Sequence, residues 1–408
     1  MTSVESKSGL PNAQGVTTAR TLAASSSFPS LDLLRGLSAG AVLLSHIDTF
    51  VASGKALLPA FLGSTAVEVF MMISGFLMMW HFQVRRENGE TWDSPKTYLN
   101  FYVRRFFRIA PLYYLMLILV YSFHGTIGEM SEHNRAVFAP TYLPGSHDPT
   151  DSALSVAHVV SHFTFVFGLI PRFAQSNPLP DWSIGLEMQF YLLFPFIALL
   201  LVRSRYLGAV ILLLAIKWAS LRLFGVGVMS EPKMLGLFPY PTLLAFKIDC
   251  FLVGMLIAAG LYERDHAGKS MFLLLLALVV AGLHMKKLLL VGFAFTFFEI
   301  SLRHGTGWDR CDQLLKRING LLGGRFTKFL ADTSYGVYLI HIPLLILLVW
   351  LLTKYTGFES YSPVMRLAVM TAVISPLVYL LGYLAFRFVE SPGIDWGRRV
   401  IGGKRRPS

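Results

Sequence analysis

Apolar residues occur along this chain in long runs that are separated by short polar stretches. A membrane-spanning helix needs about 20 consecutive apolar residues. Runs of that length lie at 31–51, 60–82, 106–124, 183–202, 206–225, 242–262, 329–353 and 364–389. Two shorter runs, 271–283 and 288–302, flank a short basic stretch and predict a hairpin of two short spans. The pattern therefore predicts an all-α, polytopic bundle of membrane helices.

An eleventh apolar run, residues 156–172, is short and contains two histidines. If it enters the membrane without crossing, the bundle has about ten spans with both termini in the cytoplasm. That side then receives roughly 25 of the 36 lysines and arginines, as the positive-inside rule requires. If the run crosses, the cations divide roughly 18 to 18. The charge distribution therefore favours ten spans with cytoplasmic N- and C-termini.

The composition agrees with a membrane protein. Of the 408 residues, 54% are hydrophobic and 15% are charged, against about a quarter charged in soluble domains. The net charge of +12 does not indicate nucleic acid, because the cations flank the apolar runs. We expect a short cytoplasmic tail at 1–30, a membrane domain at 31–392 and a basic tail at 393–408. The two cysteines offer no disulfide framework.

The first span contains two ionisable residues, Arg35 and His46, eleven positions apart. Eleven residues of α-helix rise ~16 Å and return the side chain to within ~20° of the same face. Charged groups within a span are costly and therefore suggest function. The predicted topology puts Arg35 at the inner end of the span and His46 in its outer half.

Three arginines, Arg104, Arg105 and Arg108, precede the third span. They are typical of cytoplasmic anchoring under the positive-inside rule. Arg105 and Arg108 also share a helix face at i,i+3, and paired guanidinium groups near a helix N-terminus suit a polyphosphate. Both interpretations stay open from the sequence.

Carboxylates also occur within the apolar runs. Glu68 lies in the outer half of span two, near the predicted depth of His46, so we predict a Glu68–His46 pair that orients the imidazole. The alternative is that Glu68 faces a wet cavity mouth. Glu187 lies about a turn and a half inside span five. Lys247 and Asp249 either neutralise each other or contribute to a cavity.

Further polar residues recur at helical spacing. Ser334, Tyr338 and His341 lie on roughly one side of the penultimate span, where His341 is either a structural hydrogen-bonding residue or part of a site. His158 and His162 stand at i,i+4, but no third ligand of suitable spacing accompanies them, so we predict no metal.

Together these residues resemble the acyltransferase-3 family of polytopic membrane O-acyltransferases from bacteria. The resemblance runs from about Leu31 to Pro392. Its signals, in chain order, are Arg35-x10-His46, the "SGF" that begins at Ser74, the Arg105-x-x-Arg108 pair, "WSIGLEMQFY" with Trp182 and Glu187, "SYGVYLIH" with Tyr338 and His341, and "ESP" at Glu390. Each motif alone is weak, but their order and spacing are specific.

The resemblance implies a ten-helix core in the bacterial cytoplasmic (inner) membrane and a reaction. Such proteins transfer an acyl group, often acetyl, from cytoplasmic acyl-coenzyme A to a hydroxyl of a cell-surface polysaccharide, glycolipid or lipid-linked sugar. Some members acylate antibiotics or other small molecules instead. Many carry a fused extracytoplasmic domain, which we do not expect here because the chain ends sixteen residues after Pro392.

We assign roles on this basis. Arg35, Arg105 and Arg108 would bind the phosphates of acetyl-coenzyme A. His46 would act as general base or as transient acyl acceptor. Glu68 and Glu187 complete the predicted catalytic set, and the remaining predicted substrate contacts are Ser74, Trp182, Tyr338 and His341.

Two other classes of protein compete with this interpretation. A secondary transporter also uses membrane-embedded histidine, glutamate and arginine, but no internal repeat is evident in the sequence. A sensor or scaffold would not need an acid, a base and an arginine pair together. The polar segments 126–155 and 226–241 are the expected acceptor contacts, and the sequence predicts neither the acceptor nor the oligomeric state.

Overall fold

The computed structural model describes residues 28–52, 56–138, 154–174, 176–225, 237–238, 241–263, 266–284 and 286–402. The predicted tail before residue 28 lies outside these ranges, as do most of the predicted acceptor segment 226–241 and the second half of 126–155. The described residues are mostly helical, as the apolar runs predict, and short turns and loops connect the helices.

Fourteen α-helices occur in the described ranges. They are α1 (Pro29–Val51), α2 (Phe61–Glu87), α3 (Pro95–Ser122), α4 (His124–Phe138), α5 (Val156–Phe163), α6 (Trp182–Arg203), α7 (Leu207–Phe224), α8 (Leu244–Tyr262), α9 (Ala267–His284), α10 (Lys286–His304), α11 (Asp309–Leu322), α12 (Arg325–Thr356), α13 (Pro363–Ala385) and α14 (Ser391–Val400). A π-helical turn, Phe386–Glu390, joins the last two.

Six of the described helical segments are long and apolar enough to cross a membrane: α2, α6, α7, α8, α12 and the continuous α13–α14 segment. A seventh is added if α3 and α4, which meet at a bend of 77°, form one broken span. The protein is therefore an integral membrane bundle. The count of ten and the sidedness of the termini stay predictions.

Residues 156–172 form the eight-residue helix α5 and two 3₁₀ turns, Phe167–Leu169 and Pro171–Phe173. Eight helical residues rise ~12 Å, less than half of the ~30 Å hydrocarbon core. This length agrees with a segment that enters the membrane without crossing it. His158 and His162 are both buried there, and His158 Nε2 lies 2.6 Å from Ser176 Oγ.

Helices α2 and α8 pack backbone against backbone. A Cβ on Gly75 would lie 2.2 Å from the carbonyl oxygen of Phe251, and a Cβ on Gly254 would lie 1.9 Å from that of Met72. Only glycine permits this approach, so Gly75 and Gly254 let the two helix backbones touch. Helix α1 packs against both α2 and α12, and this arrangement brings their polar side chains to one region.

The residues that follow Glu390 continue as helix. Within the predicted basic tail, residues 393–400 belong to α14, which packs against α3. Gly397 lies against Phe107, and the Trp396 ring centroid is 5.2 Å from that of Phe107. Arg398 and Arg399 therefore lie at the same end of the bundle as the start of α3.

Candidate active site

A cavity of about 130 Å³ opens between α1, α2, α3, α6 and α12. Its polar lining comes from residues that are far apart in the sequence. They are Arg35, Ser74, Arg105, Arg108, Ser183, Glu187, Tyr191, Ser334, Tyr335 and Tyr338. Six of the ten predicted site residues thus meet in one space.

Two of the three cavity arginines lie on one face of α3. The Arg105 guanidinium lies 5.8 Å from the ring centroid of Phe101 and 5.6 Å from that of Tyr191, within cation–π range. Arg108 lies 3.9 Å from the carboxylate of Glu390, a side chain with no exposed surface. The i,i+3 spacing therefore points both arginines into the cavity, as predicted.

Arg35 lies on α1 and faces the two arginines of α3 across the cavity. Within the described parts of the chain it forms no hydrogen bond or ion pair. Three guanidinium groups thus share a space that one carboxylate, Glu187, enters. Such an excess of positive charge, partly withdrawn from water, favours a polyanionic ligand.

Glu187 is already engaged in hydrogen bonds. Its Oε1 accepts one from Ser74 Oγ at 2.7 Å and a short one from the Tyr191 hydroxyl. Sequence reasoning did not single out Tyr191, although its i,i+4 spacing from Glu187 was a usable signal. These bonds connect α2 with α6 and fix the ring on which Arg105 rests.

The other end of the cavity is formed by Phe70, Ser183 and Tyr338. The Tyr338 hydroxyl lies 2.7 Å from Ser183 Oγ and donates to the carbonyl oxygen of Pro180 at 3.0 Å. The Phe70 and Tyr338 ring centroids are 5.9 Å apart. Tyr338 also connects this end of the cavity with His341, because the two ring centroids are 5.9 Å apart.

One helical turn beyond Tyr338, His341 contacts His46. His341 Nε2 lies 3.1 Å from His46 Nδ1, and the ring centroids are 4.9 Å apart. His341 is fully buried and His46 is half-buried. Neither ring lines the arginine cavity, so the structure divides the predicted site into an arginine part and a histidine part.

The predicted Glu68–His46 pair is wrong. Glu68 Oε1 lies 2.6 Å from Lys247 Nζ, and this ion pair joins α2 to α8. The sequence left open whether Lys247 and Asp249 neutralise each other, and they do not, because Asp249 makes a short ion pair with Lys217 of α7. A shared depth in the membrane did not predict these contacts, because depth leaves the rotation of each helix about its own axis undetermined.

Two aromatic residues differ from their sequence interpretation. Trp182 is half-buried at the start of α6 and does not line the cavity. Tyr335, which the sequence reasoning left unassigned, does line it and donates to the carbonyl oxygen of Ile109 at 3.0 Å. Its position three residues before Tyr338 in "SYGVY" was the available signal.

A family model described as an acyltransferase domain, Acyl_transf_3, matches residues 28–386. The chain belongs to the acyltransferase-3 family. The match includes all ten predicted site residues and every residue that lines the cavity. The family resemblance seen in the motifs is thereby confirmed over most of the chain.

Relatives with curated names were also found. The chain is 24% identical over 395 residues to the peptidoglycan O-acetyltransferase OatA of Listeria monocytogenes, covering 89% of this chain and 55% of that protein. It is 24% identical over 397 residues to the putative peptidoglycan O-acetyltransferase YrhL of Bacillus subtilis, covering 89% and 54%. The chain spans about half the length of these relatives.

A third relative matches a smaller part of the chain. Acyltransferase MdmB of Streptomyces mycarofaciens is 32% identical over 176 residues, which cover 41% of this chain and 38% of that protein. No solved structure matches the chain significantly.

Proposed function

We propose that this protein is a membrane O-acetyltransferase that moves an acetyl group from acetyl-coenzyme A to a hydroxyl of a cell-envelope glycan. The observation that carries the proposal is the cavity lined by Arg35, Arg105 and Arg108, which ends next to the His46–His341 pair. An anion site and a candidate base thus lie at two levels of one bundle.

The arginine end suits the phosphates of the donor. Guanidinium groups bind phosphate through two parallel hydrogen bonds, and a partly dehydrated site strengthens them. Arg85, Arg86, Arg398 and Arg399 lie at the same end of the bundle, so the positive-inside rule supports a cytoplasmic position. The donor would then enter from the bacterial cytoplasm, with the thioester directed towards Tyr338.

The histidine end would carry the chemistry. The acceptor hydroxyl attacks the thioester carbonyl carbon while His46 takes the hydroxyl proton. Collapse of the tetrahedral intermediate breaks the carbon–sulfur bond, and the departing thiolate takes the proton back from His46. The products are the acetyl ester and coenzyme A. This route needs the Phe70–Tyr338 group to admit the thioester arm.

The acceptor we favour is peptidoglycan, because two relatives are named for its O-acetylation. The test uses the full chain in lipid nanodiscs with radiolabelled acetyl-coenzyme A and soluble peptidoglycan fragments. We expect a base-labile ester on the fragment. If a different surface glycan were the better substrate, the assignment as an O-acetyltransferase would stand and the proposed acceptor would change. If the protein transferred acetyl to no glycan, the proposal would be refuted.

A substitution at His46 tests its assignment as the general base. His46→Gln keeps hydrogen-bonding capacity without basicity, and it should lower the transfer rate by about 10²- to 10⁴-fold. Acetyl-coenzyme A binding should persist, because Arg105 and Arg108 lie elsewhere in the bundle. His133→Gln, which alters a contact with Thr353 between α4 and α12, is the matched control. A labelled protein trapped without acceptor would instead indicate transient acylation of His46.

A further inference from the structure

Three backbone carbonyl groups define the protonation of the two imidazoles. His341 Nδ1 lies 2.6 Å from the carbonyl oxygen of Tyr338 and 3.2 Å from that of Val337. His46 Nδ1 lies 3.0 Å from the carbonyl oxygen of Val42. A carbonyl oxygen only accepts hydrogen bonds, so a ring nitrogen that faces one at this distance must carry hydrogen. Both Nδ1 atoms are therefore protonated.

This assignment leaves a lone pair on Nε2 of neutral His341. That atom lies 3.1 Å from His46 Nδ1, so the His46 Nδ1–H is shared between His341 and the carbonyl of Val42. If each ring carried its hydrogen on Nε2 instead, the His341 Nδ1 lone pair would face two carbonyl oxygens. The His46 Nδ1 lone pair would also face a third, and three such repulsive contacts exclude this arrangement.

We propose that His341 is a positioning residue that holds His46 with Nε2 as its unprotonated, reactive nitrogen. The inference rests on the proposed function, in which His46 takes a proton from the acceptor hydroxyl. It goes further by naming the atom that takes the proton and the residue that orients it. The orienting group is a neutral imidazole, in the place where a carboxylate from Glu68 was expected.

The hydrogen bond between His46 and His341 also becomes stronger during the proton transfer. Once His46 Nε2 takes the hydroxyl proton, the ring becomes an imidazolium, and the bond from its Nδ1–H to His341 Nε2 becomes charge-assisted. An interaction that strengthens as charge develops lowers the barrier rather than only the ground state. His341 itself keeps its proton at Nδ1 throughout, since the proton on His46 Nε2 leaves with the thiolate.

Nuclear magnetic resonance of the full chain, labelled with ¹⁵N-histidine in nanodiscs, tests this assignment without any activity measurement. We expect His46 to carry hydrogen on Nδ1 and to show a coupling to His341 Nε2 across the N–H···N bond. His46→Gln and His341→Leu assign the two signals, and His133→Leu should leave both unchanged. Hydrogen on His46 Nε2, or no coupling in the folded parent, would overturn the proposal.

Kinetics test the positioning role. His341→Leu should lower kcat by about 10- to 100-fold, the effect of one hydrogen bond to a charged group, with KM for acetyl-coenzyme A unchanged. His341→Gln supplies an acceptor oxygen in place of Nε2 and should recover most of kcat. Equal losses in both variants, with thermal stability like that of His133→Leu, would contradict positioning.

The two proposals fail separately. If His46→Gln transfers acetyl at the parental rate while the coupling is observed, the base assignment fails and the hydrogen-bond geometry stands. If His46→Gln is inactive but the parent carries hydrogen on His46 Nε2, the proposed function stands and the positioning role of His341 fails.

Discussion

Glu68 and Lys247 form an ion pair between α2 and α8, with 2.6 Å between Oε1 and Nζ. Both side chains are largely buried, with 15% and 22% of their surface exposed. The pair lies between the two helices that approach most closely at Gly75 and Gly254. Because the carboxylate is neutralised by Lys247, we expect Glu68 to stabilise the bundle rather than to take part in acyl transfer.

Glu68→Gln should therefore destabilise the protein without removing activity. Loss of a hydrogen bond between charged groups costs about 1.5–3 kcal/mol, and the Lys247 ammonium is left without its counterion. We expect a lower Tm and a transfer rate, per folded protein, within about threefold of the parent. Adding Lys247→Gln should recover part of the Tm. Parental stability combined with a large loss of kcat would return Glu68 to the catalytic set.

Arg105→Ala and Arg108→Ala should each raise KM for acetyl-coenzyme A by one to two decades, since each removes a phosphate contact of about 1.5–3 kcal/mol. Arg108→Lys should recover only part of the affinity for acetyl-coenzyme A, because an ammonium group cannot form the two parallel hydrogen bonds of a guanidinium. Steady-state kinetics and direct binding measurements check both expectations.

Arg104→Ala is the matched control for the cavity arginines. Arg104 neighbours both in sequence but pairs with Glu90 and does not line the cavity. Because Arg108→Ala also leaves the buried Glu390 unpaired, the double variant with Glu390→Gln separates lost binding from lost stability. If the cavity variants bound acetyl-coenzyme A like Arg104→Ala, their charges would serve membrane topology alone.

Gly254→Ala should destabilise the bundle, because the added Cβ meets the carbonyl oxygen of Met72 at 1.9 Å. Overpacking of this kind typically costs about 1–3 kcal/mol or more. Gly268→Ala is the control, since nothing lies within 4 Å of its Cβ, and its effect should be neutral or slightly stabilising. Equal Tm values for the two variants would contradict the close packing of α2 and α8.

Cysteine labelling tests the topology around residues 156–172. Leu154 lies just before this segment and Arg172 at its last position, and both side chains are exposed. If the segment does not cross, Leu154→Cys and Arg172→Cys should react with a membrane-impermeant reagent from the same side, and Arg398→Cys from the other. Labelling of the first two from opposite sides would remove the ten-span topology.

The native cysteines permit this experiment after one change. Cys311 is exposed and should be replaced by serine, whereas Cys250 is buried and should stay unlabelled in intact protein. Unexpected labelling of the Cys311→Ser background would show that Cys250 is accessible.

The sequence by itself determined the class of protein and the relationships within each helix. Long apolar runs predict membrane helices because hydrocarbon demands an internally hydrogen-bonded backbone. The spacing of Arg105 and Arg108 puts both side chains on one face because helical periodicity is local. The same reasoning could have found Tyr191, one turn from Glu187.

Only the tertiary structure decided which polar groups meet. Glu68 and His46 share a predicted depth, yet Glu68 pairs with Lys247, and His46 contacts His341 from 295 positions away. Depth follows from the position along a span, but a contact also requires that two helices turn the right faces towards each other. That rotation is set by packing across the whole bundle, such as the backbone contact at Gly254, and no local pattern encodes it.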